Sequence, residues 1–105
     1  MIELLKKRRD ALERICTEYK VLRLEAFGSA VKDKAFDPKT RDLDFLVEFL
    51  SLEIGEYAAC YFGLLEALES LYQCHVDLVM LSAIKNKYFL QMIEPDREDI
   101  YAACL

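Results

Sequence analysis

Three short apolar runs constrain this chain most: VLRLEAF (21–27), LDFLVEFL (43–50) and HVDLVML (75–81). Each is the length of a strand, and each is followed or preceded by a stretch with helical periodicity. Ile2, Leu5, Leu12, Ile15, Cys16 and Tyr19 recur at helical spacing and predict an amphipathic helix over 2–19. Tyr57, Ala58, Tyr61, Leu64, Leu65, Leu68 and Tyr72 predict the longest helix, over 55–73. A short helical stretch is expected after the first strand, from Ala30 to about Lys34, before the Asp37-Pro38 step marks a loop. Ser82 is the expected cap of a helix over 83–93, and a short helix from Arg97 to Ala103 is expected after Pro95-Asp96. The order α-β-α-β-α-β-α belongs to an α/β or α+β layer built on three core strands.

With 105 residues the chain has the length of one domain, 1–105, and can bury one core. No apolar run reaches the roughly 18–20 residues a membrane helix needs. The opening MIELLKKRRD lacks the apolar stretch of a signal peptide, so a soluble cytoplasmic domain with no membrane association is expected. Cys16, Cys60, Cys74 and Cys104 form no CxxC pair, and His75, the single histidine, completes no His/Cys cluster by local spacing. Reduced structural thiols are therefore favoured over disulfides or zinc.

Charge is unevenly placed. Residues 1–41 hold 11 basic against 7 acidic side chains, and residues 42–105 hold 3 against 12, for a net charge of −5. Such an acidic balance disfavours nucleic acid as a partner, because phosphate neutralisation drives that binding. A basic first part and an acidic remainder suit a site that handles both phosphates and metal ions. The run Lys6-Lys7-Arg8-Arg9 reads most simply as a solvated helix face.

The chemistry concentrates after the first strand. Gly28-Ser29 ends that strand and opens onto a helix, where free backbone N–H groups and the serine hydroxyl suit phosphate oxygens. The same pair also serves an ordinary strand-to-helix turn, and neither GxxxxGK[ST] nor GxGxxG is present. Asp42 and Asp44, two apart at the start of a strand, project to one face. Two carboxylates that close repel, and a hard cation bridging them to substrate phosphates resolves the conflict. Asp77, near the start of the third strand, brings a third carboxylate to the same edge.

Gly28-Ser29, a 12-residue interval, Asp42-Leu43-Asp44 running into FLVEF, and a distal strand aspartate together resemble the minimal nucleotidyltransferase family. These are small members of the DNA polymerase beta-like superfamily, with the pattern GSxAxG, a loop, then [ST]D[IVL]D[LF]xV. The likeness reaches nearly the whole chain, since VDLVMLSAIKNKYF…IEPDREDIYAA is similar to the family's third strand and closing helices. It implies a polymerase beta-like core, a small mixed sheet of about three strands flanked by helices. By matching position, Gly28 and Ser29 cradle a nucleoside triphosphate, and Lys32 reaches a phosphate as a point charge. Asp42 and Asp44 ligate two Mg²⁺ ions, and Asp77 acts as base or ligand. The chain departs from the pattern at Val31 (alanine in the family), Asp33 (glycine) and Arg41 (serine or threonine), and its loop is about two residues longer. None of these departures removes a metal ligand, while Asp33 adds negative charge near the phosphate position.

The resemblance implies Mg²⁺-dependent transfer of a nucleoside monophosphate, AMP from ATP, to a hydroxyl acceptor. Small relatives are paired with a helical HEPN-type protein in the manner of toxin and antitoxin, which points to a tyrosine hydroxyl on that partner. The alternative is an antitoxin-like binding module with a weak or vestigial active site that neutralises its partner by contact, using aromatics such as Tyr57, Tyr88, Phe89 and Tyr101. The sequence does not decide between homo- and hetero-oligomers, and it singles out no base-contacting residue.

Overall fold

The computed structural model describes residues 8–28 and 42–103. Its elements are α1 (Arg9–Glu18), β1 (Val21–Phe27), β2 (Leu43–Phe49), α2 (Ile54–Tyr72), β3 (Val76–Met80), α3 (Lys87–Ile93) and β4 (Glu98–Ala102). The four strands form one mixed sheet in the order β3-β2-β1-β4. β1 pairs antiparallel with β2 and β4, and β2 pairs parallel with β3. The parallel pair needs a crossover, and α2 supplies it.

One face of the sheet carries the main core. Val21, Leu24 and Ala26 of β1, Leu43, Phe45 and Val47 of β2, and Val76 and Leu78 of β3 pack against Leu12 and Cys16 of α1 and Leu64, Leu68 and Tyr72 of α2. Strict alternation would put Val21 on the face opposite Leu24. A register irregularity between Val21 and Arg23 restores it to the core side. The other face carries a smaller cluster, Phe27, Leu46 and Ile93, with Phe89 and Leu90 of α3 packed against it. The sheet is therefore covered by α1 and α2 on one side and by α3 on the other.

Local devices fix the connections. Lys20 turns the chain from α1 into β1 with a left-handed backbone (φ 59°), and its ammonium pairs with Glu56 of α2. Glu53 and Glu56 form a capping box at the start of α2, and Gln73 ends that helix in the left-handed conformation. Gly63 of α2 faces the Tyr19 ring so closely that any side chain there would collide with it. The outer edge of β3 is occupied by side chains of α2. Tyr61 donates its hydroxyl to the Leu78 carbonyl, and Glu69 accepts the Val76 N–H at 3.2 Å.

The mixed sheet flanked by helices agrees with the expected fold, with two local differences. Residues 98–102 form an edge strand on β1, not the expected helix, because pairing with Arg23–Ala26 satisfies their backbone. Ser82 lies in a single 3-10 turn, Leu81–Ala83, and does not cap α3. The cap is Asn86, whose side chain accepts the Tyr88 N–H at 2.9 Å. The expected helix after Gly28 and the first part of the expected 2–19 helix lie outside the described residues. Cys16, Cys60 and Cys74 are free thiols, and burial pushes the Cys16 thiol up to about 12. No helix among the described residues is long and apolar enough to cross a membrane.

Candidate active site

The parallel register between β2 and β3 builds the site. Asp44 is the register partner of Asp77, and the ladder begins where the Leu43 N–H donates to the His75 carbonyl at 3.0 Å. One step earlier along the same two strands, Asp42 stands beside His75. Residues two apart on a strand share a face. Asp42, Asp44, His75 and Asp77 therefore form two adjacent rungs on the face opposite the main core.

The antiparallel β1–β2 register extends one rung across the sheet, because Phe27 pairs with Asp44. Gly28 follows immediately with φ +75°, and a Cβ built on it would lie 2.9 Å from Asp44 Oδ2. Glycine is thus required twice at this position, for the left-handed backbone and for the approach of the Asp44 carboxylate. A cavity of about 510 Å³ opens at the rungs, lined by Phe27, Asp44, His75, Asp77 and Phe89, with Tyr61 at its α2 side. That volume falls in the range of small-ligand sites. Phe27 and Phe89 meet edge to face, with centroids 6.1 Å apart, and form an apolar wall.

The electrostatics are those of crowded acids. The Asp44 carboxyl is pushed up to about 6, first by burial, then by the Asp77 charge and a hydrogen bond to Asp77, and last by Asp42. His75 Nδ1 lies 3.4 Å from Asp42 Oδ2 and 3.8 Å from Asp77 Oδ1. Single ligand atoms of Asp42, His75 and Asp77 all fall within 4.8 Å of one another. The donor set fits a divalent cation: carboxylate oxygens whose mutual repulsion a cation would relieve, beneath a glycine whose missing side chain keeps the approach open.

Of the residues expected from the sequence, Asp42, Asp44 and Asp77 share this face and Gly28 abuts it. Ser29 and Lys32 lie outside the described residues, as do Val31, Asp33 and Arg41. Sequence reasoning missed His75, which it set aside for want of a local cluster. The available signal was its position two residues before Asp77, on the same face of the same strand. Of the four aromatics considered for an interface, only Tyr88 is well exposed, at 81%. Tyr57 packs on Phe49, Phe89 on Phe27, and Tyr101 against the main core.

A mixed sheet with paired acidic rungs behind a strand-ending glycine defines a nucleotidyltransferase core. The chain belongs to the nucleotidyltransferase domain family, whose model matches residues 8–100. It is 35% identical over 94 residues to a Methanocaldococcus jannaschii protein named "Putative protein adenylyltransferase", covering 90% of this chain and 88% of that one. A solved structure described as a "putative minimal nucleotidyltransferase" superposes with a TM-score of 0.70 at 28% identity, over 91% of this chain and 92% of the other. The fold also matches one chain of a solved structure described as a tri-AMPylated Shewanella oneidensis HEPN toxin in complex with MNT antitoxin. That match has a TM-score of 0.62 at 17% identity, over 94% of this chain and 73% of the other.

Proposed function

We propose that this nucleotidyltransferase moves AMP from ATP, in the presence of Mg²⁺, to a hydroxyl on a HEPN-type partner protein. The observation that carries the proposal is the pair of rungs Asp42/His75 and Asp44/Asp77 beside Gly28. The name of the M. jannaschii relative supports protein as the acceptor. The structural neighbours support the nucleotide and the partner, since one is a toxin–antitoxin complex with AMP-PNP and another contains an AMPylated HEPN toxin.

In this reaction the acceptor oxygen bonds to the α-phosphorus, the bond from that phosphorus to the oxygen bridging to the β-phosphate breaks, and pyrophosphate leaves. Divalent cations supply charge neutralisation for the triphosphate. Asp42 and Asp44 hold the cation position, and Asp77 is a further ligand or receives the hydroxyl proton. Gly28 and Ser29 cradle the triphosphate, with Lys32 as an added positive charge. Catalysis is chiefly positioning and electrostatic stabilisation.

The test is AMP transfer and pyrophosphate release with Mg·ATP and a candidate HEPN-type partner, compared between the native protein and Asp42→Asn/Asp44→Asn. Loss of transfer with partner binding retained is the expected result, and undiminished transfer overturns the mechanism. A second reading has support of its own: Tyr88 and Met92, one turn apart on α3, are 81% and 71% exposed and offer an apolar contact beside the cavity wall. On that reading the chain neutralises its partner by contact alone, and the double variant retains full neutralisation.

A further inference from the structure

The chain's one histidine sits between two acids. Its Nδ1 is turned to Asp42 Oδ2 (3.4 Å) and to Asp77 Oδ1 (3.8 Å). Its backbone is fixed at that position, because its carbonyl accepts the first N–H of the β2–β3 ladder, while its side chain is 62% exposed. Two donors that share a first-row cation at about 2.0–2.2 Å stand about 3–3.5 Å apart in tetrahedral or octahedral arrangements. The two imidazole–carboxylate separations are close to that and all three ligand atoms lie within 4.8 Å of one another, so side-chain rotations can bring Asp42, His75 and Asp77 onto one ion.

Chemistry then distinguishes the ions. Mg²⁺ takes oxygen ligands in strict octahedral geometry and gives up water reluctantly. A neutral imidazole nitrogen is a better ligand for transition-row cations. Two carboxylates alone would leave the position to whichever hard cation is abundant, and an imidazole between them adds a preference.

We infer that His75 is a ligand of the cation held by Asp42 and Asp77, and that it biases this position toward first-row transition cations such as Mn²⁺ over Mg²⁺. The inference rests on the metal site of the proposed function and deepens it. Asp42 is common to this cation and to the Asp42/Asp44 position of that reading, and Asp44 and His75 line the same cavity.

The test is direct Mn²⁺ binding by electron paramagnetic resonance, with Mg²⁺ as competitor, on the native chain, His75→Ala and Asp42→Asn. His75→Ala is expected to weaken Mn²⁺ binding by about tenfold or more while Mg²⁺ affinity changes less than about twofold. Asp42→Asn is expected to weaken both. Bound Mn²⁺ should show a ¹⁴N hyperfine coupling in the native chain, and that coupling should vanish in His75→Ala. Its assignment is unambiguous because the chain has a single histidine. Unchanged Mn²⁺ affinity in His75→Ala, equal losses for both ions, or no ¹⁴N coupling overturns the inference while the metal site stands. A native chain that binds neither cation overturns the inference and the metal-dependent reading together.

Discussion

Asp44 and Asp77 are direct register partners across the parallel β2–β3 pair, so two carboxylates share one rung of the sheet. Parallel neighbours are about 4.8 Å apart along the hydrogen-bonding direction, and side chains on one rung leave on the same face. The arrangement concentrates negative charge where burial already disfavours it, and Asp44 takes up the conflict by holding its proton up to about pH 6.

A pH dependence follows, with a definite sign. The Asp44 carboxyl titrates near 3.8 in the unfolded chain and near 6 in the metal-free native protein. Between those values the native state binds more protons than the unfolded state, so stability falls as pH rises from about 4 to 6. Thermal unfolding of the metal-free protein should show this decline, and Asp44→Asn should flatten it. Added Mg²⁺ should raise the melting temperature more at pH 7.5 than at pH 5, because a cation offsets the same repulsion that protonation relieves.

Gly28→Ala should separate stability from function. The left-handed backbone at φ +75° costs an alanine about 1–2 kcal/mol, and the new methyl would meet Asp44 Oδ2 at 2.9 Å. A drop of about 1–2 kcal/mol in urea unfolding is expected. Nucleotide transfer should fall by far more than that loss explains, since at least 90% of the variant remains folded at 25 °C if the native stability is about 5 kcal/mol or more. Equal transfer by the folded variant would show that the site tolerates displacement of Asp44.

What was legible in the sequence was whatever a short window contains. β1, β2 and α2 announce themselves by apolar periodicity, and Asp42-Leu43-Asp44 shows its shared face from the period of two alone. β4 was not legible: Glu98–Ala102 is five residues with mixed polarity, and its state is decided by pairing with β1, more than 70 residues earlier. Asn86 over Ser82 as the cap of α3 depends on how sharply the chain turns after β3. His75 was invisible for a related reason, because it lies 33 residues from Asp42 and only the parallel register brings them together.

β4 and the turn before it are also held by a contact between residues far apart in the chain. Arg97 clamps Glu25 with two hydrogen bonds, Nε to Oε2 at 2.6 Å and Nη2 to Oε1 at 3.0 Å, and its Nη1 reaches Glu94 at 2.8 Å. Glu25 is only 5% exposed, on β1 two residues before Phe27. Among the described residues its other cationic neighbour, Arg23 at 3.8 Å, is a distant substitute. Arg97→Ala should therefore leave a nearly buried carboxylate without its main partner and cost about 3 kcal/mol in chemical denaturation. The double variant Glu25→Leu/Arg97→Leu should cost clearly less, since replacing both charges removes the desolvation penalty along with the attraction. A double variant as unstable as Arg97→Ala would instead mean that the pair holds β4 by geometry that leucines cannot reproduce.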